Sequence, residues 1–142
     1  MKRDPALVKK LETIMAKARQ SLALAMEHDA KGLSDESASK ACYAVFHAIQ
    51  AALLTKGLAF SKHSGVKEGF NREFIHAGTF PKEFHTIMER LFRDRNIGDY
   101  SYDKSVDAEE SGRDVRDAEK MIKAVADHLK NLYQRDFWSG ER

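Results

Sequence analysis

A chain of 142 residues with 42% apolar and 32% charged side chains has material for one core and too much apolar surface to stay disordered. Its 24 basic and 22 acidic residues leave a formal charge of +2, which excludes a whole-molecule attraction for nucleic acid, so any anion site must be a local patch. The single cysteine, Cys42, excludes an internal disulfide, and no apolar run approaches the length of a membrane span.

The start, MKRDPALVKK, has no apolar signal core. The expected location is therefore the cytoplasm, with no membrane partner. The two prolines, Pro5 and Pro81, both suit the first turn of a helix. No segment alternates with the period of a strand, and five segments read as helices.

The first helix is expected from Pro5 to His28, capped by Asp4. Val8, Leu11, Met15, Ala18, Leu22 and Ala25 step by three and four, which makes one apolar stripe. The second is expected from Asp35 to Lys56, with Gly57 as its stop. It is apolar on most sides. Alanines 38, 41, 44, 48, 51 and 52 keep it slim, so it reads as the central helix. Within it Cys42 reads as a small core residue.

A short third helix is expected over Val66–His76, with Ser64 available as its cap and Gly78 ending it. The fourth starts near Pro81 and carries Phe84, Ile87, Met88, Leu91 and Phe92 on one face. It is expected to falter at Gly98 and give way to a polar loop, GDYSYDKSV, over residues 98–106. The fifth runs from Asp107 to Tyr133, and QRDFWSGER is expected as a frayed tail. The fold expected is all-α: a compact up-and-down bundle of four long helices and one short one. It is read as one domain over residues 1–142, with a core over 5–133 and a tail over 134–142.

The chemistry concentrates at the end of the fourth helix. Phe84, Met88 and Leu91 step by four and three, and the next step of four lands on Arg95. An arginine on an inward stripe must be paired or must line a cleft, because a buried unpaired charge costs several kcal/mol. Either Asp99, four residues on, pairs with it, or Arg95 faces a phosphate or similar anion, which its planar fork suits. Arg93 lies on the flank, one turn from Glu89, where a surface pair is expected.

On the second helix Tyr43 and His47 lie one turn apart. Two readings stay open: a histidine satisfied within the core, or side chains lent to the cleft that holds Arg95. In SKHSG, Lys62 and His63 precede a helix start, which is a weak phosphate signal. The spacings of the histidines and the lone cysteine give no metal site, and no Gly-rich phosphate loop or cofactor motif occurs.

The segments YAVFHAIQAALLTKGL, SKHSGV, FNREFIHAGTFPKEF and FRDRNIGDYSY, in that order, resemble the HEPN family (higher eukaryotes and prokaryotes nucleotide-binding) over roughly residues 5–130. The similarity is to its small stand-alone prokaryotic branch. The resemblance implies a helical bundle that forms a homodimer. It implies binding of RNA or a nucleotide, and metal-independent ribonuclease activity in many members. Several members are toxins encoded beside a nucleotidyltransferase antitoxin, which makes such an enzyme an expected partner. The family motif is an arginine, four to six residues, then a histidine, with a tyrosine two further on.

Here RNIGDYSY supplies Arg95, Asn96 and Tyr102, while Tyr100 stands at the histidine position. The resemblance thus marks Arg95, Asn96, Tyr100 and Tyr102 as the catalytic set. Arg93, Arg95, Tyr43, His47, Lys62 and His63 form the candidate nucleotide- or RNA-binding set. A tyrosine is a poor base at neutral pH, so a weak or lost ribonuclease activity is expected. The second function class is a non-catalytic helical module that binds a partner protein such as a nucleotidyltransferase.

Overall fold

A computed structural model describes residues 4–139. Residues 1–3, and the last three residues of the expected tail, 140–142, lie outside the described residues. Five helices appear in chain order: α1 over Pro5–Ala30, α2 over Ser34–Leu54, α3 over His63–Phe70, α4 over Glu83–Tyr100 and α5 over Ala108–Tyr133. There is no strand among the described residues. No described helix is long and apolar enough to cross a membrane.

The sequence explains the long helices directly. In α1 the Asp4 carboxylate accepts from the Ala6 amide at 3.0 Å, Pro5 opens the first turn, and all six stripe residues are buried. Ala38, Ala41, Ala44, Ala48, Ala51 and Ala52 of α2 are buried too. Their small size lets α1, α4 and α5 crowd around α2, which is the axis of the bundle. The α5 start carries a reciprocal cap: Asp107 accepts from the Glu110 amide at 2.8 Å, and the Glu110 carboxylate accepts from the Asp107 amide at 3.0 Å.

Three expectations fail, each for a tertiary reason. The third helix starts earlier than expected, at His63, after an extended Lys62, and Ser64 does not cap it. It then runs on into a π-helical turn over Asn71–Ile75. That wide turn brings Phe74 beside Phe70 and Phe80, with ring centres 5.5 and 5.7 Å apart.

The fourth helix does not falter at Gly98. It continues to Tyr100, because Gly98 is where α4 crosses the start of α2. A Cβ at Gly98 would stand 2.6 Å from the Asp35 carbonyl oxygen. The Asp35 carboxylate in turn accepts from the Val106 amide at 2.8 Å, which pins the loop leaving α4. A Gly98→Ala variant should therefore lose roughly 1–3 kcal/mol in urea melts through overpacking, against a gain of about 1 kcal/mol in helix propensity.

The tail does not fray over its described part. Gln134 adopts a left-handed conformation (φ 60°) that turns the chain back. Phe137 is then buried, its carbonyl accepts from Arg19 at 2.7 Å, and Arg135 pairs with Glu12 at 2.8 Å.

Candidate functional site

Arg95 projects from α4 towards α2 and the start of α3. Its guanidinium carbon lies 5.7 Å from the Tyr43 ring centre and 5.8 Å from that of Phe92. One terminal nitrogen, Nη2, stands 3.5 Å from Nδ1 of His63. The His63 ring is held by aromatic neighbours, 4.3 Å from Phe46 and 6.0 Å from Phe92. Lys67, one turn beyond His63, sits 4.8 Å above the Phe92 ring and pairs with Glu89 at 3.4 Å. The result is a half-open cleft with aromatic walls and two cations.

The decisive feature is what Arg95 lacks. The helix survives Gly98, yet Asp99 is exposed, and no carboxylate among the described residues pairs with Arg95. Its Nε is buried without any acceptor. Burial is the largest influence and works against its charge, but the Tyr43 hydroxyl, Cys42 and Tyr100 together outweigh it and keep the group above its ordinary pKa. A guanidinium carries five N–H donors and no acceptor, so this one has donors to spare. Cations with spare donors in a partly dry cleft bind oxyanions.

His63 is the cleft's other polar group. Burial first, and then the Arg95 charge, hold its pKa below the usual imidazole value, so it is neutral at pH 7. The guanidinium can only donate, so Nδ1 must turn its lone pair towards Arg95. That puts the ring proton on Nε2.

The structure brings together Arg95, Tyr43 and His63 of the expected residues. His47 faces elsewhere. Burial and then the charge of Lys17 on α1 lower its pKa. Lys62 is exposed at the α3 start, beside His63. Arg93 is exposed and pairs with Asp94 at 3.5 Å, not with Glu89, which Lys67 has taken. Asn96 is exposed on α4. Tyr100 ends the helix 68% exposed, and Tyr102 in the following loop is fully exposed. Cys42 is buried, and burial pushes its thiol up to about 12, which makes it inert as a nucleophile.

Spacing alone did not single out Phe46, Phe92 and Lys67 as parts of the site. The only sequence signal was that His63 and Lys67 lie four apart at the start of a helix, and so share a face.

Behind the cleft a buried charge cluster fixes α4 against α5. Asp94 and Asp114 are both buried and face one another, each with an Oδ2 that lacks a donor. Arg90 donates from Nε to Asp114 at 2.9 Å and also pairs with Asp117. Burial, with the neighbouring Asp94 carboxyl, raises Asp114 from 3.8 to about 8, against the pull of Arg90. Asp114 therefore keeps its proton at neutral pH and can donate it to the Asp94 carboxylate. Asp94 directly precedes Arg95, so this cluster sets the rotation of α4 that aims Arg95 into the cleft.

The sequence is similar to those of several known proteins. A curated protein from Thermotoga maritima, named UPF0332 protein, is 40% identical over 90 residues, covering 63% of this chain and 68% of its own. One from Methanocaldococcus jannaschii, named "Putative toxin MJ0605", is 28% identical over 122 residues, covering 86% of this chain and 90% of its own. A second from the same organism, "Putative toxin MJ0142", is 29% identical over 103 residues, covering 72% of this chain and 70% of its own. The sequence profile of the HEPN domain matches residues 11–131, from the middle of α1 to the end of α5. The five-helix bundle, its order of elements and this match together make the chain a member of the HEPN family.

Proposed function

We propose that this HEPN protein is the toxin-like member of a two-component system. In this reading the cleft around Arg95 binds the phosphate of single-stranded RNA or of a nucleotide. The observation that carries the reading is Arg95 itself: a half-buried guanidinium without a carboxylate partner and with a buried, unsatisfied Nε. The walls support RNA over an isolated phosphate. Tyr43, Phe46 and His63 offer rings on which a base can stack, at about 1–3 kcal/mol per base. Lys67 and Lys62 supply charge for a flanking phosphate.

The names of the two Methanocaldococcus relatives support the toxin-like part. The further parts of the reading are a homodimer, a nucleotidyltransferase partner and action in the cytoplasm. A homodimer with Arg95 and Tyr102 near its axis would bring two cations to one phosphate, and a two-fold axis requires a self-complementary patch of this kind. Tyr102 is the residue a partner enzyme would reach first, since its whole side chain is exposed.

A second reading, a helical module that binds a partner without catalysis, is favoured by Tyr100 at the motif's histidine position. Fluorescence anisotropy with a labelled single-stranded RNA separates the two. Wild-type protein should bind with an affinity that falls with salt. Arg95→Ala should bind roughly 10–100-fold more weakly, the loss of a charge-assisted contact of about 1.5–3 kcal/mol. Equal affinity in both proteins, or none in either, would refute the RNA reading and leave the module.

A further inference from the structure

The motif lacks its histidine on α4, but the cleft does not lack one. Arg95 faces His63, which lies 32 positions earlier and enters from the start of α3. Resting on the reading of the cleft as an RNA site, we propose that His63 is a catalytic residue: its Nδ1 takes the proton from a ribose 2′-hydroxyl while Arg95 holds the adjacent phosphate.

Four features converge on His63. Its ring is wedged against Phe46 and Phe92, which fixes its plane. It is half-exposed, so a ribose can reach it. It is neutral at pH 7, the form that can accept a proton. Its lone pair is at Nδ1, held only by a long 3.5 Å contact to the guanidinium, which a bound phosphate would compete for. In RNA the 2′-oxygen poised for attack stands about 3–3.5 Å from phosphorus. A phosphate drawn onto Arg95 therefore brings its own 2′-hydroxyl within reach of Nδ1, where it replaces the long 3.5 Å contact to Nη2. The alternatives fit less well. His47 lies towards Lys17, and Tyr100, although near enough to act on the Arg95 charge, is mostly exposed and has a phenol that is a poor base at neutral pH.

The step balances without a co-reactant. Nδ1 accepts the 2′-hydroxyl proton, the 2′-oxygen bonds to phosphorus, and the bond from phosphorus to the 5′-oxygen breaks. Arg95 stabilises the charge that builds on the phosphoryl oxygens. The imidazolium then gives its proton, through water, to the departing 5′-oxygen. One fragment ends in a 2′,3′-cyclic phosphate and the other begins with a 5′-hydroxyl.

The test uses the full chain, a labelled single-stranded RNA of mixed sequence and EDTA, with cleavage and binding measured in parallel. The wild type should cut and leave 2′,3′-cyclic phosphate ends by mass spectrometry, and should spare a 2′-deoxy control. His63→Asn keeps the side-chain size and should cut about 10²–10⁴-fold more slowly while binding RNA within a few-fold of wild type. His76→Ala, at an exposed position on another face, should cut normally. The rate should rise with pH along a limb centred below 6.5. Undiminished cutting by His63→Asn, or wild type that binds RNA and never cuts it, would overturn the role of His63 and leave the binding reading standing. Wild type that binds no RNA would overturn both.

Discussion

Arg90→Ala should cost about 3–5 kcal/mol of folding stability, the loss seen when one partner is removed from a buried ion pair. That is a large share of the roughly 5–15 kcal/mol available to a domain. The cause is local. One proton between Asp94 and Asp114 leaves one negative charge, and both carboxyls are buried. Arg90, itself only 15% exposed, balances that charge and also holds Asp117. Without it the charge is left to the long, exposed contact with Arg93, or a second proton must be taken up. Urea melts at pH 7 give the measurement. A milder loss is expected for Asp114→Asn, which still offers a donor to Asp94. Because the cluster sets the rotation of α4, Arg90→Ala should also weaken RNA binding without touching the cleft. A loss under 1 kcal/mol would mean that the cluster is not what joins α4 to α5.

Stability should also fall as pH rises from 7 to 8.5. A carboxyl with a folded pKa of about 8 and an unfolded value of 3.8 keeps its proton in the folded state alone across that interval. The folded state then binds more protons than the unfolded one, so stability declines with pH until Asp114 has titrated. The groups facing Asp114 are Arg90 and Asp94 of α4, with Cys42 of α2 nearby.

The interval is chosen to isolate that one group. The folded histidines with lowered values, His47, His63 and His128, act below 6.5, where they favour unfolding on acidification. Cys42, raised from 9.0 to about 12, costs stability only in more alkaline solution. A fall in Tm of roughly 2–4 °C is expected, corresponding to about 1 kcal/mol. Asp114→Asn should be flat over the same interval. A wild-type profile that rises towards pH 8.5 would contradict a proton kept on Asp114 at neutral pH.

The stripes of α1, α4 and α5 were legible because a period of 3.6 depends only on neighbours along the chain. Gly98 was misread for the opposite reason. Its lack of a side chain serves the Asp35 carbonyl, 63 positions away, and no local rule distinguishes that from a helix stop. Glu89 illustrates the same limit: its neighbour Arg93 has the right spacing, but Lys67 from another helix wins. At the site, the inward course of Arg95 could be read from the stripe, whereas its meeting with His63 needed the fold. The Asp94–Asp114 pair left a trace that was missed. Leu91 to Asp94 is a step of three along the same apolar face, and Asp114 lies four before the buried Ala118. Both looked like members of exposed charge runs.

The central claim is that Arg95 meets a phosphate, and its buried Nε gives it a signal of its own. In ¹⁵N-labelled protein the Arg95 Nε–H resonance can be assigned by its disappearance in Arg95→Lys. Saturation with single-stranded RNA should move that resonance strongly, as the unsatisfied donor gains an oxyanion acceptor, and the His63 ring signals should move with it. RNA that binds and shifts other resonances while Arg95 Nε–H and His63 stay in place would contradict the account.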